Sequence, residues 1–272
     1  GSIAMQNFDN INQTRLTSEI AVYDSGVGGI SFLPTVRRLL PAERFVYYGD
    51  LANAPYGDRS QDFIIERARE IVAFFRKRGV KALVIACNTA TSAAAATLRA
   101  ENPDLPIFGM EPAIHLAVKR GEKRIIMLAT ELTAHGEKLR RLLTAEAGAA
   151  EIVTIACPGL MELIETNLIK GETAAIKEYL QTKLSPQLTE DCAVVLGCTH
   201  YIFLRSLLPQ LFPGLRLYDG NLGTAQNLRR RLAQAGLLCL DEGQSAAEEL
   251  PCFGLPPEKF AAYLQLASSL KY

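Results

Sequence analysis

Short apolar runs alternate with amphipathic stretches along this chain of 272 residues, and no other feature constrains its fold as tightly. The runs at residues 82–86 and 193–196 are rich in Val, Leu and Ala and end in polar residues, which is typical of strands buried on both faces of a parallel sheet. The stretch at 60–78 has apolar residues at helical spacing, which is typical of a half-buried helix. The alternation therefore predicts an α/β fold with parallel sheets.

The predicted elements divide the chain into two parts of similar design. Strands are predicted at residues 20–23, 44–48, 80–86, 107–109, 124–129, 152–156, 192–197 and 215–218, and the main helices at 30–40, 60–78, 88–101, 112–120, 133–146, 201–211, 221–234 and 258–270. Two segments, ALVIACNTATS and AVVLGCTHY, share the order apolar strand, cysteine, threonine, helix. We therefore expect one α/β domain of residues 20–112, with 222–272 packing back on it, and a second of residues 113–221. A looser tail is expected after residue 236.

The charge balance excludes a bulk electrostatic attraction to nucleic acids or membranes. Lysine plus arginine and aspartate plus glutamate number 29 each, so the net charge is zero and either partner would need a local basic patch. The three arginines at 229–231 are typical of a solvated helix face. No apolar run approaches the roughly 20 residues that cross a bilayer. We therefore expect neither a nucleic acid nor a membrane as a partner.

The cysteines and the N-terminal segment bear on the cellular compartment. The six cysteines are widely spaced, without a CxxC pair, and residues 1–10 lack the basic start and apolar centre of a secretory signal. Reduced thiols are the simplest interpretation in a chain of this size. We therefore expect a cytoplasmic protein.

Polar side chains lie where the predicted strands end. They are Asp24, Cys87, Thr130, Cys157 and Cys198, each of which ends or follows an apolar run. In open parallel sheets, ligands bind beyond the carboxyl ends of the strands, where helix N-termini converge. We therefore expect Cys87 and Cys198 to face one another across a single site. A helix N-terminus would also lower the pKa of such a thiol from about 8.5.

Two further segments are predicted to border this site. SGVGG at 25–29 brings three glycines to the start of a helix, which suits an anion site, although a plain strand-to-helix turn is the alternative. The segment matches neither a P-loop nor the dinucleotide fingerprint. The loop LANAPYGDRS at 51–60 is longer than most connections, and such loops often carry function.

Four kinds of chemistry use cysteines placed in this way. A redox disulfide normally uses the CxxC spacing that is absent here. A zinc ion could be held by Cys87, Cys198 and His200, but no close ligand pair of the zinc-finger type occurs. A Cys-His hydrolase needs one cysteine and leaves the other idle. Acid–base catalysis uses both, because one thiolate removes a proton while the opposite thiol supplies one.

Removing a proton from one face of a carbon and returning one to the other face inverts a stereocentre. Most enzymes that do this at an amino-acid Cα use pyridoxal phosphate, which needs a Schiff-base lysine near the site. No lysine lies at the carboxyl end of a predicted strand. The residues therefore favour a cofactor-free route, with Asp24 and His200 as proton partners of the thiols.

Six ordered motifs resemble the glutamate racemases of the cofactor-independent aspartate/glutamate racemase superfamily. They are DSGVGG (24–29), YYGD (47–50), PYG (55–57), CNTAT (87–91), ACP (156–158) followed by Glu165, and LGCTHY (196–201). The resemblance covers residues 20–223, most of the chain. It implies two flavodoxin-like, doubly wound α/β domains with parallel sheets, related by a pseudo-twofold axis. It also implies that glutamate binds in the interdomain cleft, without pyridoxal phosphate and without a metal.

The same resemblance implies roles for individual residues. Cys87 would act on D-glutamate with help from Asp24, and Cys198 would act on L-glutamate with help from His200 and Glu165. The implied substrate contacts are Asp24, Ser25, Tyr56, Gly57, Asn88, Thr89, Thr130, Thr133, Thr199 and His200. A homodimer and a supply of D-glutamate for bacterial peptidoglycan synthesis are implied as well. The alternatives are an aspartate racemase or decarboxylase of the same superfamily and a non-catalytic protein that binds a small anion.

Overall fold

The computed structural model describes residues 15–146, 148–240 and 250–272. Within these ranges the strands are β1 Ile20–Asp24, β2 Phe45–Gly49, β3 Ala82–Ile85, β4 Ile107–Gly109, β5 Arg124–Ala129, β6 Glu151–Ala156, β7 Ala193–Leu196, β8 Arg216–Tyr218 and β9 Cys252–Phe253. The strands predicted from the sequence are all present, and no end shifts by more than two residues. The N-terminal segment 1–10 and part of the predicted tail, 241–249, lie outside the described residues.

The strands form two parallel sheets. The first has the order β4-β3-β1-β2-β9 and the second has the order β6-β5-β7-β8. The sets β1–β4 and β5–β8 thus repeat one arrangement, in which the first strand of the set lies between the second and the third. This is the flavodoxin-like strand order. The prediction of an α/β fold with two doubly wound parallel sheets is therefore confirmed, while the domain limits at residues 112 and 221 stay a prediction.

Helices connect the strands. The α-helices are α1 Phe32–Leu39, α2 Gln61–Arg78, α3 Asn88–Glu101, α4 Ala113–Lys119, α5 Glu131–Ala134, α6 Glu137–Ala145, α7 Leu160–Leu163, α8 Ala174–Leu184, α9 Leu208–Leu211, α10 Asn221–Gln234 and α11 Pro257–Ser268. Short 3-10 helices cover Gly28–Ser31, Leu51–Asn53, Tyr56–Asp58 and Thr199–Ser206, and a π-helical turn covers Ile164–Leu168. The long helix α2 has strong end signals, because Ser60 accepts the Phe63 N–H at its start and Gly79 adopts a φ of 82° at its end.

Three elements differ from their prediction. The helix predicted at 133–146 is broken into α5 and α6, because Gly136 adopts an extended backbone conformation between them. The helix predicted at 201–211 is a 3-10 helix followed by α9, since Pro209 lacks an N–H and begins a new helix more readily than it continues one. The tail that was expected to be loose supplies β9, which pairs with β2.

The chain crosses between the two sheets after β4 and again after β8, and the two crossings touch. The backbone N–H of Glu111 in the first crossing donates to Thr224 Oγ1 beyond the second, over 2.8 Å. A Cβ atom at Gly220 would lie 2.5 Å from the Glu111 carbonyl oxygen. Because only glycine permits this approach, the two crossings are held together as one joint.

The centre of each sheet is buried on both faces. Every residue of β1, β3 and β7 is buried, and so is β5 apart from Arg124. All four are inner strands of their sheets, and so is β2, which is buried apart from Tyr48. Polar residues at their carboxyl ends are therefore enclosed by protein on several sides.

Candidate active site

A narrow cavity lies at the carboxyl ends of the inner strands of both sheets. The described residues that line it are Ser25, Tyr56, Gly57, Cys87, Asn88, Thr89, Thr130, Thr133, Met161, Gly197, Cys198, Thr199 and His200. Ser25 and Cys87 follow β1 and β3 of the first sheet, whereas Thr130 and Cys198 follow β5 and β7 of the second. The two cysteines therefore open onto one cavity from different sheets.

Cys87 lies two residues beyond β3 and caps the N-terminus of α3. Its Sγ accepts a hydrogen bond from the Ala90 N–H at 3.4 Å and lies 3.7 Å from the Ser25 hydroxyl oxygen. Burial, and then the nearby Asp24 carboxylate, raise the pKa of Cys87 to about 12, although the Ala90 N–H acts to lower it. The expectation that the helix N-terminus lowers the pKa of this thiol is therefore wrong, because burial outweighs the helix dipole.

Cys198 lies two residues beyond β7, the same offset that separates Cys87 from β3. His200 follows in the 3-10 helix, is buried, and has its Nε2 atom 2.8 Å from Glu165 Oε1. Burial acts to lower the pKa of His200, but hydrogen bonds to the Cys198 thiol and the Glu165 carboxylate raise it to about 10. The imidazole is therefore protonated at neutral pH, and a cation lies beside Cys198.

Two carboxylates lie behind the residues that line the cavity. Asp24 is fully buried and accepts hydrogen bonds from the Gly26 N–H at 2.9 Å and the Thr199 hydroxyl at 3.3 Å. Burial raises the pKa of Asp24, although His200 and these hydrogen bonds act to lower it. At Glu165, burial also acts to raise the pKa, but the hydrogen bond to His200 lowers it overall. Asp24 thus contacts the cavity-lining residue Thr199, and Glu165 contacts the cavity-lining residue His200.

The glycine-rich turn after β1 lets the two halves of the site approach closely. A Cβ atom at Gly28 would lie 2.4 Å from Thr199 Oγ1 and 2.9 Å from the His200 backbone nitrogen, which is closer than side chains normally pack. The anion that this turn binds is the carboxylate of Asp24 in the same chain, which accepts a hydrogen bond from the Gly26 N–H. The predicted turn is thus both a carboxylate-binding turn and a contact between the two halves.

Hydroxyl and amide groups complete the cavity wall. Thr130 caps α5, where its Oγ1 accepts the Thr133 N–H at 3.3 Å and donates to Thr133 Oγ1 at 3.1 Å. Asn88 and Thr89 lie in the first turn of α3, on the first sheet's side. The cavity wall therefore presents hydroxyl and amide groups, which can bind carboxylate and ammonium groups, next to two sulfur atoms that can exchange protons.

Among the described residues, the other candidate ligands and thiols form neither a metal site nor a disulfide. No three His, Cys, Asp or Glu side chains among the described residues form a group that could hold a metal ion. All six cysteines lie in the described ranges, and each is a free thiol. His115 is exposed and pairs with Glu146.

No helix in the described parts of the chain is long and apolar enough to cross a membrane.

The chain matches a known protein family over most of its length. The family model described as Asp/Glu/Hydantoin racemase matches residues 28–228, which is most of the sequence. The chain belongs to this racemase family. The match includes both halves of the cavity, since it spans Cys87 as well as Cys198.

Similar members of this racemase family carry the name glutamate racemase. That of Stutzerimonas stutzeri (strain A1501) is 41% identical over 250 residues, which cover 91% of this chain and 92% of the relative. The solved glutamate racemase from Escherichia coli, in complex with L-glutamate and the activator UDP-MurNAc-ala, is 31% identical with a TM-score of 0.75, covering 92% of this chain and 95% of that one. That from Thermus thermophilus, in complex with beta-chloro-D-alanine, is 34% identical with a TM-score of 0.71, covering 92% and 93%.

Sequence reasoning misses two residues that line the cavity of this racemase-family protein, Met161 and Gly197. Gly197 lies within the LGCTHY motif, and a Cβ atom there would lie 2.4 Å from the Leu128 carbonyl oxygen. That motif is a signal by which Gly197 could have been found. Met161 has no such signal, because an apolar residue on a helix is ordinarily part of a core.

Proposed function

We propose that this protein is a glutamate racemase that interconverts L- and D-glutamate by acid–base chemistry at two thiols. The observation that carries the proposal is that Cys87 and Cys198 open onto one cavity from two different sheets. The choice of glutamate as the substrate is supported by relatives of that name at 41% and 31% identity over most of the chain.

Each turnover moves two protons. In the L-to-D direction, the Cys198 thiolate removes the Cα proton of L-glutamate, and the electron pair of the broken C–H bond stays on the substrate, spread onto its α-carboxylate. The Cys87 thiol then donates its proton to the opposite face of Cα, which forms the new C–H bond of D-glutamate. The D-to-L direction is the reverse, with the roles of the two sulfurs exchanged.

The surroundings of the two sulfurs suit this starting state. Hydrogen bonds to Cys198 and Glu165 raise the pKa of His200 to about 10, so a protonated imidazole lies next to the sulfur that removes the proton of L-glutamate. Burial and the Asp24 carboxylate raise the pKa of Cys87 to about 12, so that this thiol retains the proton it must donate. Reaction of D-glutamate needs a thiolate at Cys87, and the ammonium group of the substrate would favour it by lowering that pKa.

Asp24, His200 and Glu165 assist the sulfurs in this scheme. Asp24 is the proton partner of Cys87, and Glu165 keeps His200 charged beside Cys198. The proposed substrate contacts are Ser25, Tyr56, Gly57, Asn88, Thr89, Thr130, Thr133, Thr199 and His200 at the cavity, with Asp24 behind its wall. These groups supply hydroxyl, amide and N–H donors for the two carboxylates of glutamate.

The scheme requires neither pyridoxal phosphate nor a metal, because the two sulfurs transfer the protons and fixed donors stabilise the charge that develops on the α-carboxylate. We extend the proposal to a cytoplasmic homodimer that supplies D-glutamate for peptidoglycan synthesis. Light scattering of the purified protein tests the homodimer.

Deuterium exchange tests the proposed function. The purified, metal-free protein is incubated in deuterated buffer with L-glutamate, D-glutamate or L-aspartate, and the products are separated by chirality and analysed by NMR. We expect deuterium at Cα together with inversion for both enantiomers of glutamate. Exchange of aspartate alone would identify an aspartate racemase, and binding of glutamate without exchange would identify a binding protein. Either result overturns the proposal.

Replacing Glu165 with glutamine tests the charged state of His200. Glutamine keeps a hydrogen-bond acceptor but removes the negative charge, so the pKa of His200 should fall from about 10 toward its ordinary value of 6.5. Because the imidazole then loses its proton at a lower pH, the alkaline limb of kcat for L-glutamate should move down by about one pH unit or more. At neutral pH we expect kcat to fall about tenfold. The measurement is a pH–rate profile in each direction.

The matched control is Glu162→Gln, since Glu162 is exposed on the neighbouring helical turn and does not line the cavity. Its profile should coincide with that of the unmodified protein. An unchanged alkaline limb in Glu165→Gln would contradict the role given to this carboxylate. Because the two enantiomers have equal free energy in water, kcat/KM must be equal in the two directions for every variant, which provides an internal check.

A further inference from the structure

A hydrogen-bonded network lies behind the loop that brings Tyr56 and Gly57 to the cavity. The Tyr56 hydroxyl donates to Asp50 Oδ2 at 2.6 Å, and the hydroxyl oxygens of Tyr56 and Tyr23 are 2.6 Å apart. Arg67 of α2 donates from Nε to Asp50 Oδ2 at 2.8 Å and from Nη2 to Asp50 Oδ1 at 2.9 Å. The network therefore connects β1, α2 and the loop after β2 to one wall of the cavity.

The donors in this network have one consistent arrangement. An ionised carboxylate only accepts hydrogen bonds, so the hydroxyl hydrogen of Tyr56 points to Asp50. The Tyr56 oxygen is then left as an acceptor, and Tyr23 donates to it. Asn53 gives Asp50 a further hydrogen bond at 3.0 Å. Asp50 thus accepts from three different side chains: Arg67 and Asn53 hold the carboxylate, and the carboxylate in turn holds the Tyr56 hydroxyl.

Arg67 keeps the Asp50 carboxylate charged in a buried position. Asp50 is only 3% exposed, and burial acts to raise its pKa, but hydrogen bonds from Arg67, Tyr56 and Asn53 lower it overall. The two parallel hydrogen bonds from Arg67 are of the bidentate kind, which fixes geometry as well as charge. The Arg67 side chain itself is 20% exposed and also pairs with Glu70. The anchor of the network is therefore at the protein surface, while its other end is at the cavity.

We propose that Arg67 and Asp50 are positioning residues of the racemase, which hold Tyr56 and Gly57 in place as one wall of the cavity. The inference rests on the proposed function, and neither residue lines the cavity. Tyr56 and Gly57 are consecutive, so a shift of the Tyr56 ring also moves the backbone of Gly57. A wall of this kind contacts the substrate equally before and during the reaction, and its loosening therefore raises KM more than it lowers kcat.

The first experiment compares Arg67→Gln with Arg69→Gln. Both arginines lie on α2, but Arg69 makes exposed ion pairs with Glu66 and Glu101. In Arg67→Gln we expect KM to rise about tenfold for both enantiomers, with kcat changed by less than about threefold, because a charge-assisted pair that holds the wall is lost. Arg69→Gln should show neither change. A role in folding alone would lower the active fraction, and with it the apparent kcat, at an unchanged KM.

Two conservative variants test whether the rise in KM follows the number of hydrogen bonds that the network loses. Arg67→Lys keeps the charge but only one of the two hydrogen bonds to Asp50, so its KM should lie between those of the unmodified protein and Arg67→Gln. Tyr23→Phe removes the hydroxyl that donates to Tyr56 and keeps the ring in the core, so KM should rise about threefold. A KM for Arg67→Lys as high as that for Arg67→Gln, together with no change in Tyr23→Phe, would contradict the network as the cause.

Hydrogen exchange followed by mass spectrometry gives a readout that does not depend on catalysis. The amides of residues 51–58 should exchange at least about fivefold faster in Arg67→Gln than in Arg69→Gln, since the loop opens more easily without its anchor. An unchanged KM in Arg67→Gln, or unchanged exchange in this segment, overturns the inference. If the unmodified protein does not racemise glutamate, the proposed function fails, and the exchange comparison still decides whether Arg67 holds the loop.

Discussion

Alanine in place of Cys87 or of Cys198 is expected to abolish racemisation. Each inversion needs one sulfur to remove a proton and the other to supply one, and both residues open onto the same cavity. Loss of a positioned acid or base costs about 10²–10⁴-fold in rate, so we expect kcat to fall by about a thousandfold or more in each variant. Polarimetry of L- and D-glutamate measures the effect.

The two variants should differ in the proton exchange that survives. In Cys87→Ala, Cys198 still reaches the Cα proton of L-glutamate, so deuterium should enter L-glutamate without inversion while D-glutamate keeps its proton. Cys198→Ala should show the opposite preference. Equal exchange of both enantiomers in either variant would contradict the assignment of one sulfur to each face of the carbon.

Cys157→Ala is the matched control for these variants. Cys157 is a buried thiol like the other two, but it is not among the described residues that line the cavity, and it is its backbone carbonyl that accepts the Tyr201 hydroxyl. Its racemase activity should stay within about threefold of the unmodified protein. Full activity in Cys87→Ala or in Cys198→Ala would rule out the two-thiol mechanism.

Gly28→Ala should have the next largest effect on activity. The added Cβ atom would lie 2.4 Å from Thr199 Oγ1 and 2.7 Å from His200 Nδ1. Both side chains are buried, so the segment that carries Cys198 must move to make room. A displacement of about 1 Å at a catalytic group costs about a hundredfold in kcat/KM, and overpacking lowers the free energy of unfolding by about 1–3 kcal/mol. Initial rates and thermal denaturation measure the two effects.

The control for this variant is Gly223→Ala in α10. Apart from its chain neighbours and the backbone of its own helix, a Cβ at Gly223 would meet only the Glu111 Cβ within 4 Å, at an ordinary contact distance of 3.7 Å. Alanine also favours a helix interior over glycine, so stability should be unchanged or slightly higher. If Gly28→Ala kept the activity of Gly223→Ala, the close approach of the two halves at Gly28 would have no part in catalysis.

Much of the fold was predictable because its signals are local. The bounds of β5 and α10 agree with those predicted, since an apolar run and a helical period are visible within a few residues of sequence. That Cys87 and Cys198 open onto one cavity was also expected from the sequence, because the two halves share one design and each places a cysteine beyond the carboxyl end of an inner strand, where ligands bind. The roles of the site residues stay predictions that the variants above test.

Features that depend on tertiary contacts could not be predicted in this way. The short strand β9 is defined by its pairing with β2, not by its own residues. The pKa of Cys87 depends on the depth of burial and on the Asp24 carboxylate, which sequence spacing does not reveal. Arg67 and Arg69 look alike on a charged helix, and only the distant partner Asp50 distinguishes them.

Cys87 and Cys198 follow the corresponding strand of two sets with the same order, at the same offset. Two such halves, built from L-amino acids, superpose by rotation, whereas the enantiomers they would act on are mirror images, which rotation cannot produce. The two sulfurs have unlike surroundings, Ser25 at one and the His200–Glu165 pair at the other, so in the proposed mechanism the two faces of the reacting carbon would meet different groups. Evolution can thus tune the maximal speeds of the two directions separately, although thermodynamics fixes the final mixture as racemic.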